Sequence, residues 1–312
     1  MAAAILLQVK AGDHVVCTQH PYSWTNTLLN KFLPRFGVET TLVDGTDAEN
    51  YRRAIRPNTT LLYLESPTFF TFELQDIAAV TAIAKEHNCT TVIDNSYAST
   101  LHQNPIKMGV DLVVHSCTKY IGGHFDVMGG VVCGSQASIS RIFEQNYMTL
   151  GAILASRDAR LLIRGLRTLS MRMARIAVST RQVVDYLVQH PKLEKVLFPI
   201  LSTHPQHQLA KKQMCNNSGQ FSILLKTGSI EKVELFCNSL RHFLMAASWS
   251  GHESPIFPVA ANYTGDGPKP YLPFNLIRFY IGLEDPEYLK QDLAQAGKDI
   301  DNLIWKFDEA PI

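Results

Sequence analysis

The first half of the chain alternates between short apolar runs and helical periodicity. DHVVCT (13–18), ETTLVD (39–44), TTLLYLES (59–66), TTVIDN (90–95), DLVVHS (111–116) and GGVVCG (129–134) read as strands. Several are apolar at consecutive positions, the pattern of strands covered on both faces. Helical patterns lie between them, from Thr25 to Leu33, Ala48 to Ile55 and Ile77 to His87, the last capped by Asp76. This alternation predicts an α/β fold on a mainly parallel sheet with helices on both faces.

The texture changes after about Ser135. Ser156 to His190 carries a long helical pattern rich in arginine, and Gly165 interrupts it, which predicts two helices or one kinked helix. Beyond Pro191, GQFSILLKT (219–227), HFLMAASWS (242–250) and NLIRFYIGL (275–283) read as strands. Helices are expected at Ile230–Leu240 and Pro286–Ile304, and a loop at 262–273. These elements make a smaller α+β unit. The expected division is therefore a large N-terminal domain over 1–165 and a smaller C-terminal domain over 166–312.

Composition narrows the function classes. Lys+Arg is 29 against Asp+Glu 28, a net charge of +1, which carries no electrostatic footprint for nucleic acid or an anionic membrane. At 46% hydrophobic residues, the 312-residue chain can bury a sizeable core, which excludes an intrinsically disordered chain. No apolar run approaches the ~20 residues that cross a bilayer. MAAAILLQV lacks a basic leader and a small-residue cleavage site, so it reads as a partial helix entering a strand. The six cysteines form no CxxC pair, which fits free thiols in a reducing, cytoplasmic compartment.

Candidate chemistry concentrates at two strand ends, where ligands of α/β sheets collect. TTVIDN ends on Asp94, and DLVVHSCTKY ends on Ser116, Thr118 and Lys119. An acid after a strand often only caps a turn, and a lone lysine is usually solvated. Together they fit pyridoxal phosphate, which needs a lysine amine for its Schiff base and a carboxylate facing its ring nitrogen. Ser116 and Thr118 supply hydroxyls for the phosphate, and Gly122 and Gly123 allow close backbone approach. His115 and His124 have no ligand spacing, so no metal is expected, and His115 reads as a satisfied strand residue.

The stretch VIDNSYASTLHQNPIKMGVDLVVHSCTKYIGGHFDV resembles the core of the Cys/Met-metabolism pyridoxal phosphate enzymes. That family includes the cystathionine γ-synthases, cystathionine β- and γ-lyases and methionine γ-lyase. The S-x-T-K-Y-x-G-G-H run is highly specific to it. The resemblance continues through AGDHVV, LESPTF, GLRTL, ASWSGHES and LIRFYIGLED. It implies the fold-type I (aspartate aminotransferase-like) architecture, with a seven-stranded-type sheet and a smaller C-terminal domain, assembled as a homodimer or homotetramer.

The resemblance also implies residue roles. Lys119 bonds the cofactor and acts as catalytic base, Asp94 pairs with the ring nitrogen, and Ser116 and Thr118 hold the phosphate. Tyr22, in HPYSWTN, stacks on the ring and joins the catalytic set. Met1 matches the second residue of a Gly-Met pair whose backbone N–H groups reach the phosphate. Arg278 binds the substrate α-carboxylate, and Ser248 helps position it.

The chain also departs from the family pattern. The N-terminal arm and the glycine before Met1 are missing, which implies either a fragment or a catalytically impaired relative. Thr68, Phe69 and Phe70 follow LESP, where many members carry Asn-Pro, and this favours β- over γ-chemistry. SWSG resembles the Ser-Trp-Gly-Gly run of bacterial cystathionine β-lyases. Phe125 replaces a small polar residue, and Cys117 replaces an alanine and is either a low-pKa thiol or an inert buried one. The implied activity is carbon–sulfur lysis of a small sulfur-containing amino acid in trans-sulfuration and methionine biosynthesis. In its sharpest form it is β-elimination of L-cystathionine to homocysteine, pyruvate and ammonia. The alternatives are cystathionine γ-synthase, cystathionine γ-lyase or methionine γ-lyase chemistry.

Overall fold

The computed structural model describes residues 1–263 and 271–302. Its first sheet contains β1 (His14–Thr18), β2 (Glu39–Val43), β3 (Thr59–Glu65), β4 (Thr90–Asp94), β5 (Leu112–Ser116) and β6 (Gly130–Gly134). Their order is β2-β1-β3-β4-β5-β6. All neighbours are parallel except β5 and β6, which are antiparallel. Among the described residues this first sheet has six strands, one fewer than the seven-stranded type expected. Among the described residues β6 pairs with β5 alone and forms one edge.

The apolar runs explain the layering. Val15, Cys17, Leu61, Tyr63, Val92, Leu112 and Val114 fill one face, against Ala4, Ile5, Leu29 and Leu33 from helical segments. Val16, Leu62, Leu64, Ile93 and Val113 fill the other, against Ile77, Val80 and Ala84 of the helix Ile77–Glu86. Each large side chain removed from water contributes about 1.5–3 kcal/mol before entropy is counted. Asp76 caps that helix, its Oδ1 accepting the Ala79 N–H at 3.1 Å.

Ser156–Val188 is a single helix of 33 residues, where a break or kink at Gly165 was expected. The glycine serves close packing instead. A Cβ at 165 would come within 2.2 Å of the Ile121 carbonyl oxygen and 2.5 Å of that of Gly122. The helix thus lies directly against the backbone of the turn that follows Lys119.

The chain divides into two compact units. One comprises Met1–Gly122, Asp126–Leu166 and Pro199–Asn217; the other comprises Gly123–Phe125, Arg167–Phe198 and the described residues from Ser218 onward. The second sheet holds β7 (Leu193–Leu197), β8 (Gln220–Leu225), β9 (Leu244–Met245), β10 (Pro255–Pro258) and β11 (Leu276–Tyr280), in the order β7-β8-β11-β10-β9. β7 and β10 have no counterpart in the sequence reading. Two of the five residues of LEKVL are charged, and PIFP is bounded by prolines.

The strand expected over 242–250 shrinks to Leu244–Met245. Its Ser-Trp-Ser-Gly end leaves the sheet, with Ser250 at φ +81°. Helices occupy Ile230–Ser239 and Pro286–Asn302. The expected helix end at 303–304 and most of the expected loop, residues 264–270, lie outside the described residues. No helix of the described residues is long and apolar enough to cross a membrane.

Candidate active site

Alternation along the strands builds the site. On one face of the first sheet, each apolar row ends in a polar residue at its carboxyl end. Tyr63 gives way to Glu65 on β3, Val92 to Asp94 on β4, and Val114 to Ser116 on β5. The parallel register pairs Glu65 with Asp94 and Asp94 with Val114, so the three polar residues share one face and one edge. Chain polarity thus concentrates the chemistry where ligands of parallel sheets bind.

Lys119 stands three residues beyond β5 in a tight turn. Its N–H donates to the Ser116 carbonyl at 3.0 Å, and the Gly122 N–H donates to the Cys117 carbonyl at 2.8 Å. A Cβ at Gly122 would press within 2.8 Å of Val127 and 3.0 Å of the Cys117 oxygen, so the turn requires glycine there. Thr118 ties the turn to the entry of β6. Its N–H donates to the Gly129 carbonyl at 3.2 Å, and its hydroxyl accepts the Gly129 N–H at 3.0 Å.

Ser96 joins the ends of β4 and β5. Its N–H donates to Asp94 Oδ1 at 2.9 Å, and its hydroxyl accepts the Ser116 N–H at 2.7 Å. His115 is buried and hydrogen-bonded to the Asn95 backbone. Burial lowers its pKa, and the Asp94 carboxylate partly opposes this. Such a neutral imidazole is a satisfied strand residue, as the sequence suggested.

Tyr22 opens the short helix Ser23–Thr27 and is 39% exposed. Its N–H donates to Glu65 Oε2 at 2.7 Å, and its ring meets Phe69 edge-on at 6.3 Å. Partial burial, Asp94 and Glu65, in that order, raise the phenol pKa. Met1 precedes the helix Ala2–Leu6, and burial lowers the pKa of its amino group while Asp94 partly opposes this. Tyr22, Asp94, Ser116, Thr118, Lys119 and Met1 therefore all lie in the first unit.

Two residues were missed by the sequence reading. Glu65 is 8% exposed, and its pKa is raised by burial first and by Asp94 second. Its signal was present in TTLLYLE, where period-two alternation puts the acid on the Tyr63 row. Ser96 had no such signal, because its bond to Asp94 is an ordinary local turn contact and its bond from Ser116 exists only once β4 and β5 are paired. Cys117 is buried and its thiol is pushed up to about 11, chiefly by desolvation, so it is the inert alternative.

Arg278 and Ser248 lie in the second unit. Arg278 occupies the centre of β11 and is 1% exposed. One of its terminal nitrogens donates to the Ala247 carbonyl at 2.6 Å, and its guanidinium lies 5.6 Å over the Phe257 ring. Ala247 immediately precedes Ser248, so β11 and the SWSG segment meet at the arginine. Burial pushes the guanidinium down to about 9, and it stays charged near neutrality. Trp249 is buried, and Phe125, at φ +59°, covers Gly251, where a Cβ would come within 2.0 Å of its ring.

The donor set of the first unit suits pyridoxal phosphate. It offers an amine for an aldehyde, an acid for a basic ring nitrogen, and hydroxyls with backbone N–H groups for a phosphate. Among the described residues, no three of His, Cys, Asp or Glu are grouped to hold a metal ion.

Comparison with known proteins agrees with this chemistry. The model of the Cys/Met metabolism PLP-dependent enzymes matches residues 1–298. A cystathionine gamma-lyase of Bacillus subtilis is 35% identical over 302 residues, covering 95% of this chain and 79% of that protein. An L-methionine gamma-lyase of Treponema denticola is 37% identical, covering 95% and 75%. The crystal structure of cystathionine gamma-lyase from Lactobacillus plantarum, complexed with L-serine, superposes with a TM-score of 0.90 at 32% identity, covering 96% of this chain and 80% of the other. The fold is therefore that of the fold-type I pyridoxal phosphate enzymes, and the chain belongs to the Cys/Met metabolism PLP-dependent enzyme family.

Proposed function

We propose that this protein uses pyridoxal phosphate to break a carbon–sulfur bond in a small sulfur-containing L-amino acid, with L-cystathionine as the substrate to test first. One observation carries the reading. Asp94 and Lys119 stand at the carboxyl ends of adjacent parallel strands, within a chain that the family model matches over residues 1–298. When bound, the cofactor supplies an electron sink for negative charge developing at the substrate Cα.

The chain's own residues do the remaining work. Lys119, as the neutral amine, takes the Cα proton as general base. Asp94 keeps a proton at the cofactor ring nitrogen. Ser116, Thr118 and the Met1 N–H would hold the phosphate, and Tyr22 would hold the ring. Arg278 binds the α-carboxylate with two parallel hydrogen bonds, and Ser248 helps orient it. Fixing the carboxylate sets which bond at Cα faces the base.

Two readings of the broken bond have support. Similar proteins named cystathionine gamma-lyase, cystathionine gamma-synthase and L-methionine gamma-lyase favour departure from Cγ. Phe69 against Tyr22, in place of the asparagine expected in γ-enzymes, and the buried Trp249 of SWSG favour departure from Cβ. Product analysis with purified protein and L-cystathionine separates them. Pyruvate with homocysteine marks β-elimination, and 2-oxobutyrate with cysteine marks γ-elimination. No keto acid from cystathionine or methionine, in protein shown to hold the cofactor, rejects the lyase reading and leaves the impaired relative.

A further inference from the structure

Glu65 takes no part in the function proposed above, yet it lies at the centre of the candidate site. It ends β3 in register with Asp94, which ends β4. Both side chains project to the same face of the sheet, so two carboxyl groups sit side by side on neighbouring strands. Glu65 is almost wholly buried, and it accepts hydrogen bonds from the backbone N–H groups of Tyr22, at 2.7 Å, and of Phe69. Its own N–H is tied to the Gln75 side chain at 3.0 Å. The carboxyl group is thus the clamp between β3, the Tyr22 segment and the turn that presents Phe69.

We propose that Glu65 is a positioning residue kept as the neutral acid, which anchors Tyr22 while leaving Asp94 as the one carboxylate of this strand edge. The geometry gives the reason. Two adjacent buried carboxylates repel, and the more buried one gives up its charge. Glu65 is the more buried of the two; Asp94 is only half-buried and its Oδ1 accepts the Ser96 N–H.

The groups acting on Glu65 from the packed elements do not reverse this. Cys17 on β1 and Tyr63 on β3 are buried, and desolvation raises both, so they remain neutral. Tyr22 is likewise raised. The next strand, β5, ends its row on the uncharged Ser116, and Lys119 follows in the turn. Burial and Asp94 together outweigh the two backbone donors, and the Glu65 pKa moves up to about 8.

The function this serves rests on the pyridoxal phosphate reading: a ring nitrogen partner works best as a single charge. Protonated Glu65 holds the stacking tyrosine by hydrogen bonds alone, without adding a second charge that would compete for the same proton. The neutrality itself is independent of the cofactor. An acid whose folded pKa is raised adds stability that is full below its unfolded pKa and is lost as pH rises through the folded one. Between about pH 4.5 and 8 the folded chain holds a proton at Glu65 that the unfolded chain has released.

Glu65→Gln and Glu65→Ala test both parts in the full chain. Thermal midpoints are measured from pH 5 to pH 9, with and without pyridoxal phosphate. Glutamine imitates the neutral acid, so the midpoint of E65Q should climb relative to the unmodified chain by several degrees from pH 5 to pH 8, then run parallel. A constant offset across that range overturns the neutral acid. This arm needs no bound cofactor, so it stands even if pyridoxal phosphate does not bind.

Equilibrium titration with pyridoxal phosphate, followed by its absorbance, tests the positioning. E65Q should bind within about threefold of the unmodified chain, and E65A about tenfold more weakly, the upper end of the range for loss of one charge-free hydrogen bond. Equal affinities for E65Q and E65A overturn the positioning role. If E65A does not fold, a loss of affinity in E65Q comparable to a tenfold change overturns it instead.

Discussion

The carboxyl edge of the first sheet and the middle of the second handle buried charge in opposite ways. On the first, two acids end adjacent parallel strands, and the register forces them together. Burial and mutual repulsion push Glu65 towards neutrality. On the second, one guanidinium sits mid-strand in β11, almost wholly buried, with a carbonyl and an aromatic face among its partners. An arginine cannot readily shed its proton, so burial there stores a positive charge that favours an anion. Like charges gathered at one edge make a place for a proton; a buried cation in a strand makes a place for a carboxylate. Both belong to a proposed reaction that needs proton control at the cofactor and anion binding for the substrate.

The largest effect should come from the lysine beside the acidic edge. Lys119→Ala should abolish the visible absorbance of bound cofactor and lower turnover by three or more orders of magnitude, the range for losing a residue that combines attachment and general-base roles. Its melting curve should stay close to that of the unmodified chain, since the side chain is only half-buried. Retained turnover would break the acidic-edge half of the comparison.

The arginine comes next. Arg278→Lys keeps a cation but loses the two-pronged geometry, and should raise KM about 10- to 100-fold with a smaller change in kcat. Arg278→Met should lose substrate binding without losing stability, because removing a buried charge also removes its desolvation cost. If R278M unfolds the protein, the arginine is a structural ion and the contrast fails.

A packing change sharpens the first region alone. Gly165→Ala drives a Cβ against two backbone carbonyls of the turn after Lys119, atoms that cannot swing aside. Overpacking of this kind costs about 1–3 kcal/mol, read as a lower denaturant midpoint, and cofactor affinity should fall with it. The smallest effect concerns thiols. Iodoacetamide should label the exposed Cys215 in the native protein and leave Cys117 untouched, because Cys117 is buried and its thiol is pushed up to about 11.

Much of the first region was legible in the chain. Asp94, Ser116, Thr118 and Lys119 announce themselves because apolar strands stop abruptly in polar residues, and that contrast survives in one dimension. Arg278 was legible for the same reason, as a charge inside the apolar run NLIRFYIGL. Glu65 was overlooked because an acid closing a strand reads like an ordinary turn, and its meaning depends on which strand lies beside it. The expected strand over 242–250 failed because local hydrophobicity in HFLMAASWS outweighed the turn chemistry of its last residues.

The sequence by itself determined the alternation of strands and helices, the family, and the identity of the residues ending the central strands. These follow from short-range periodicity and from a dense motif around Lys119. Tertiary structure alone decided that Glu65 and Asp94 are neighbours, that the Ser96 hydroxyl accepts the Ser116 N–H, and that Gly165 admits a turn rather than bending a helix. The physical reason is the same for all three. Each depends on which segments, 20 or more residues apart in the chain, are brought within a few ångströms, and such proximity comes from strand order and helix packing, which leave no periodic trace in the sequence.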